Sequence, residues 1–352
     1  MKRMENIQSQ LSPQVRFEPK PNAWKITFNR PESLNSFTRD MHASLHTIAD
    51  HSKSHTLPLI FTGEGRAFCA GGDVLYVMDN PHLAAEFFML EFSLFYKLSL
   101  LTQDKVAVQN GIVMGGGVGL TMGCNLRVAT PKTLWAMPET HIGYVPDVGA
   151  SYFLSRLDPP ELGLYLSMTG ARLKGVDCFT FGLAQYYVED HEALIRELEQ
   201  SSDPRPILEA HHKFPDPGES QILPILNEIK QVFKPETSVD FIFEKLGSMR
   251  SEWAQKTLKT LHEVCPLSLY LAFESFNRGK HLSYKDCLKQ EYDLVIQLTI
   301  HRRSTYATGV ENKLVKKSKA RPNWEPNTVD EINLAYIEPF FLNVEGPKLN
   351  LD

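Results

Sequence analysis

The chain is most constrained between residues 106 and 119. Val106, Ala107 and Val108 lead through Met114 into Gly115, Gly116, Gly117, Val118 and Gly119. The apolar run predicts a buried strand, and the glycines predict a tight turn into a helix with its first main-chain N–H groups facing outward. Such a turn can bind negative charge. It lacks the Lys-Ser/Thr ending of a phosphate loop and matches a dinucleotide fingerprint poorly. Taken alone, the run is equally explained by close helix packing.

A second small-residue loop makes the pattern more specific. Trp24, Ile26 and Phe28 alternate with Lys25 and Thr27, which predicts a strand with one buried face. Phe37, Met41, Leu45 and Ile48 then recur at helical spacing, with Asn35 or Ser36 as the cap, and residues 57–61 read as another strand. This β–α–β unit predicts a mainly parallel sheet. Gly63, Gly65, Ala67, Cys69, Ala70, Gly71, Gly72 and Asp73 follow that strand. Two such loops can each supply one N–H to an oxyanion hole, where losing one donor costs about 3–4 kcal/mol in the barrier.

Composition excludes several classes. With 352 residues, 42% of them hydrophobic, the chain can bury a full core plus a smaller appendage. A net charge of −5 argues against nucleic acid as a main partner, and the basic stretch 313–321 reads as solvated surface. Cysteines 69, 124, 178, 265 and 287 show neither metal-ligand spacing nor an even-numbered disulfide pattern, so a reducing compartment is expected. The apolar window 87–101 is interrupted by Glu91 and Lys97 and is too short to span a bilayer. The first fifteen or so residues read as a flexible lead with neither a secretory signal nor a convincing transit peptide, and the C-terminus is not a peroxisomal tripeptide.

Beyond residue 155 helical periodicity dominates. Residues 162–168 read as a helix ended by Thr169 and Gly170, and 184–188 as a short strand. Segments 203–206 and 214–218 mark linkers. Periodic stretches near 238–247, 250–263, 267–278 and 284–300 predict a bundle of four helices.

In order and spacing, residues 68–73, 114–119, 137–139 and 146–149 resemble the motifs of the enoyl-CoA hydratase/isomerase (crotonase) superfamily. Within it they are most similar to the 3-hydroxyisobutyryl-CoA hydrolase branch, as are 126–130, 173–177, 266–269 and Glu291 with Tyr292. The resemblance implies an α/β crotonase-like β-β-α superhelix with a C-terminal helical region. The corresponding domain expectation is a lead at 1–18, a core at 19–200, a linker at 201–236, a helical region at 237–325 and a tail at 326–352.

The resemblance also implies roles. The thioester oxygen of an acyl-CoA substrate would lie between the amides of Ala70 and Gly116. Hydratases of the superfamily use two glutamates; here the first position is Gly119 and the second is Glu139. The hydrolase branch joins the later Glu to an Asp eight residues on, which is Asp147. Thioester hydrolysis needs a carboxylate that attacks the carbonyl or takes a proton from water, and Glu139 suits either role. Asp147 would hold the water or the substrate hydroxyl. Glu91 has Phe87, Phe88, Leu94 and Phe95 as its helical neighbours, which places its carboxylate either on an apolar face or at that stripe's edge with its head in water. On the resemblance it contacts the substrate, bonded to its 3-hydroxyl.

Other candidates are weaker. His211 and His212 point to different helix faces, Cys69 reads as a buried small residue, and Asp73 reads as a capping acid. No metal or redox cofactor is implied, since CoA belongs to the substrate. Glu32 and Leu75 stand where the branch is usually basic, and Thr305, Thr308, Glu311 and Lys316 depart from its C-terminal motif while Tyr306, Gly309 and Val310 keep to it. Three readings follow: a short 3-hydroxyacyl-CoA hydrolase of valine breakdown, a non-catalytic subunit of an assembly such as the mitochondrial ribosome, and another crotonase-type isomerase or hydratase. The partner expectations are an acyl-CoA substrate, no nucleic acid or membrane, and a homo-oligomer or a mitochondrial assembly; mitochondrial residence is implied by the resemblance, with the cytoplasm as the alternative.

Overall fold

A computed structural model describes residues 7–342 and 345–351. In chain order the strands are β1 (Val15–Pro19), β2 (Trp24–Phe28), β3 (Leu59–Gly63), β4 (Ala67–Cys69), β5 (Lys105–Gln109), β6 (Ile112–Met114), β7 (Leu126–Ala129), β8 (Leu134–Ala136), β9 (Leu173–Lys174) and β10 (Tyr186–Tyr187). The helices used below are α1 (Arg39–Ser52), α2 (Ala84–Leu100), α3 (Gly116–Met122), α4 (Pro160–Thr169), α5 (Val239–Ser248), α6 (Glu252–Glu263), α7 (Pro266–Gly279), α8 (Tyr284–Ile296) and α9 (Ser304–Val310). The chain forms two compact units. One comprises the residues up to Asp73 with Ser93–Trp135 and Leu173–Leu223; the other comprises Val74–Phe92, Ala136–Arg172 and the residues from Pro224 onward.

The first unit carries the strands. Strands β1, β2, β3, β5, β7 and β10 form one sheet, and β4, β6, β8 and β9 form another. Successive pairs β3–β4, β5–β6 and β7–β8 each give their first strand to the large sheet and their second to the small one, the β-β-α winding expected from the resemblance. Pairings β2–β3, β3–β5 and β5–β7 are parallel, and β1 joins antiparallel to β2. Ile60, Val106, Val108, Leu126 and Val128 are buried together with Leu194, Leu198 and Leu208. This continuous apolar character is what a parallel sheet covered on both faces requires.

The second unit is helical. Helices α5 to α8 occupy the four stretches whose periodicity predicted them, and α4 ends at Gly170 in the left-handed conformation. Tyr165 of α4 packs edge-on against Phe233 and tilts against Trp253 of α6.

Several expectations are corrected. Strand β1 overlaps the end of the stretch read as a flexible lead, whose residues 1–6 fall outside the described residues. The cap of α1 is Thr38, whose side chain accepts from the Met41 N–H, not Asn35 or Ser36. Asn35 is buried at φ 57°, and its Nδ2 donates to the Ala67 and Glu64 carbonyls. Between residues 201 and 236 stand two helices, Arg205–His211 and Leu226–Val232, and in the C-terminal segment Ile337 and Phe340 are buried.

Candidate functional site

In the first unit the two glycine-bearing loops meet. A Cβ on Gly71, whose φ is +103°, would lie 3.3 Å from Met114 O and 3.4 Å from the Gly116 nitrogen. A Cβ on Gly117 would be only 2.3 Å from the Cys69 carbonyl oxygen. Only residues without side chains allow this approach. Gly116 opens α3, so its N–H has no intrahelical acceptor and is available to an anion.

Ala70 is different. Its N–H donates to Leu34 O at 3.0 Å, so the donor expected there is already committed. Two residues on, Phe37 N–H donates to Gly71 O and Asp73 N–H donates to Phe37 O, the bonds of a parallel bridge between Phe37 and Gly72. That pattern turns the Gly72 N–H away from Phe37. Gly72 and Gly116 are therefore the candidate donors of the paired loops. Asp73, expected as a cap, pairs with Arg30 at 2.9 Å, and Cys69 is buried with its Sγ 3.4 Å from Gly71 N.

The second unit brings the three acids together. Glu139 opens a single helical turn, Glu139–Ile142, pinned by Thr140 Oγ1 to Met168 O, by Cys265 N–H to Thr140 O and by His141 Nε2 with Thr169 O. Glu139, Asp147 and Glu91 are all buried. Burial lifts Glu139 well above the usual carboxylate range, and the charges of Asp147 and Glu91 push the same way. Asp147 is likewise raised well above its usual value, first by burial and then by Glu91, while Tyr144 opposes the shift. Burial pushes Glu91 up to about 8. Like charges brought together in a dry site cannot all ionise at neutral pH. Glu139 Oε2 has no hydrogen-bond partner among the described residues.

Two supporting residues escaped the sequence reading of roles. The Tyr144 hydroxyl donates to Asp147 Oδ2 at 2.9 Å. Glu291 on α8 accepts from the N–H of Gly149 at 2.5 Å and from the N–H and hydroxyl of Ser151 at 2.7 and 2.6 Å. It clamps the turn directly after Asp147, where Val148 is held at φ 53°, a costly conformation for a β-branched residue. Glu291 had a legible signal: Cys287, Leu288, Leu294 and Val295 surround it at helical spacing, the same pattern that singled out Glu91. Tyr144 had none beyond lying three residues before Asp147. Gly119 is buried within α3 and offers no carboxylate, as expected. His211 pairs with Glu197, while His212 packs against Phe214 and Phe179, so the two imidazoles share no ligand. Among the described residues no group of three or more His, Cys, Asp or Glu is placed to hold a metal ion, and no helix is long and apolar enough to cross a membrane.

A spiral of β-β-α units with amide-lined glycine loops in one unit and buried acids in the other defines a crotonase-fold protein. The chain belongs to the enoyl-CoA hydratase/isomerase family, which matches residues 23–341. It is 34% identical to the mitochondrial 3-hydroxyisobutyryl-CoA hydrolase of Dictyostelium discoideum, over 95% of this chain and 93% of that one. It is 34% identical to 3-hydroxyisobutyryl-CoA hydrolase 1 of Arabidopsis thaliana, over 94% and 92%. Among solved structures it superposes on a carnitinyl-CoA dehydratase from Mycobacterium thermoresistibile with a TM-score of 0.89 and 29% identity, covering 97% of this chain and 99% of that one.

Proposed function

We propose that the protein hydrolyses a short 3-hydroxyacyl-CoA thioester, 3-hydroxyisobutyryl-CoA, to 3-hydroxyisobutyrate and CoA, a step of valine breakdown in the mitochondrion. The observation that carries the reading is the buried set Glu139, Asp147 and Glu91, with Glu139 Oε2 open. The names of the relatives support the same substrate.

Each group has a part that its surroundings favour. The amides of Gly116 and Gly72 stabilise the negative oxygen that forms as the thioester carbonyl is attacked. Glu139 acts at the carbonyl carbon by one of two routes. As nucleophile it forms an acyl-glutamyl anhydride, expels CoA thiolate and is regenerated by water; as base it takes a proton from the attacking water, and the thiolate leaves with a proton. Asp147 holds the water and Glu91 receives the 3-hydroxyl. With Gly119 in place of a second glutamate, addition of water to a double bond lacks half of its acid–base pair. Hydrolysis draws on the protein's own groups and water, and CoA enters as part of the substrate.

The test is thiol release from 3-hydroxyisobutyryl-CoA by the purified protein beside Glu139→Gln and Asp147→Asn. Turnover in the wild type that falls roughly 10²–10⁴-fold in both variants supports the reading. No thiol release from any short acyl-CoA overturns it. A single turnover in ¹⁸O-water separates the two routes, because only the anhydride leaves label in Glu139.

A further inference from the structure

Asp147 sits in a hostile place for a charge. Glu91 and Glu139 face it as like charges, and Glu291 on α8 feels it as another. The groups that shift Asp147 and Glu139, among the described residues, include no Lys or Arg side chain. An ionised carboxylate there needs a donor, and the side chain that donates to it is Tyr144.

The tyrosine is built in rather than incidental. Its ring is buried, stacked on Phe88 of α2 with centroids 6.1 Å apart and tilted against Tyr306 of α9 at 5.6 Å. Tyr306 is itself tied down, its hydroxyl donating to Val74 O at 2.8 Å. The Tyr144 N–H donates to Glu139 O at 3.1 Å, so the same residue closes the turn that carries Glu139. A phenol packed against two rings and held at its backbone has little freedom to leave Asp147.

We propose that Tyr144 is a positioning residue for the reaction: its hydroxyl engages Oδ2 of Asp147, which fixes the carboxyl's orientation and stabilises its charge among its acidic neighbours. The proposal rests on the hydrolase reading for its catalytic consequence, but the hydrogen bond and its effect on ionisation do not. Hydrogen bonds to charged groups are among the stronger ones in proteins. Removing this donor therefore raises the pH at which Asp147 ionises.

The experiment is Tyr144→Phe, which deletes one oxygen and keeps the ring, read by two measurements. In protein labelled with ¹³C at aspartate carboxyls, the Asp147 signal is the one missing from Asp147→Asn. Its midpoint is expected to rise by about one pH unit in Tyr144→Phe. In the thiol-release assay the acid limb of the pH profile moves up with it, and kcat falls about tenfold while KM stays within about twofold. Replacing Tyr144 alone with 3-fluorotyrosine, a stronger donor, moves the midpoint the other way and serves should Tyr144→Phe not fold. An Asp147 midpoint unchanged in the variant overturns the proposal. A wild type that releases no thiol defeats the hydrolase reading instead, while the carboxyl titration still decides the role of Tyr144.

Discussion

On the proposed reading the first unit offers chemistry through its main chain and the second through side chains, and the two are built under opposite constraints. Around Gly71, Gly116 and Gly117 the functional groups are amides, and side chains matter by being absent, because a Cβ on Gly117 would overlap the Cys69 carbonyl oxygen. Around Glu139 the functional groups are carboxyls, and their chemistry is set by burial and by each other. Backbone donors are fixed by geometry and are indifferent to pH in the working range. Buried acids are tuned by electrostatics and respond to every neighbouring charge.

Substitutions can test that contrast, beginning with the largest effect. Glu139→Gln should abolish most turnover while leaving the protein at least as stable at pH 8, since it removes a buried acid raised well above its usual range; a fall in melting temperature there would break the comparison. Gly117→Ala should instead cost both, roughly 1–3 kcal/mol of stability in denaturant titration as the loops are forced apart and part of the activity because the amides move. An unaltered midpoint with full activity would show that the loops yield.

Glu91 sharpens the comparison through pH. Its carboxyl, usually near 4.5, is pushed up to about 8 in the folded chain. Between those values the folded state binds the proton and the unfolded state releases it. The resulting stabilisation is therefore full below pH 4.5, weakens as pH rises and is gone above 8. Glu91→Gln should accordingly gain on the wild type between pH 5 and pH 8, by on the order of 2 kcal/mol, in melts at both values. A difference independent of pH would place Glu91 outside the electrostatic set. The smallest effect belongs to the periphery of the first unit: Thr38→Ala removes the α1 cap and should cost about 1 kcal/mol, with kcat within twofold of the wild type.

Much of this architecture was legible in residue order. The alternation at Trp24, Ile26 and Phe28 marks β2, and the periodic stretches after 238 mark α5 to α8, because period-2 and period-3.6 burial leave direct traces in a sequence. Strand β1 was missed because Val15 and Phe17 are its two buried apolar residues among polar neighbours, too short a signal to distinguish from a lead. Asn35 was misread as a cap because its side chain bonds distant carbonyls, Glu64 and Ala67, which no local pattern encodes.

Residue order already carries the groups on which the proposed chemistry draws. Glycines at 71, 116 and 117 permit close backbone approach, Glu91 has apolar residues at every helical neighbour, and Glu139 and Asp147 carry the spacing of the family's hydrolases. Only the tertiary structure decided which of those atoms are available. It committed the Ala70 amide to Leu34 and turned that of Gly72 away from Phe37, gave Asp147 a phenol, clamped Gly149 and Ser151 from Glu291 of α8, and left Glu139 Oε2 open. The physical reason is that a donor's direction and a carboxyl's charge depend on what long-range packing places beside them, whereas a residue's type and local period do not.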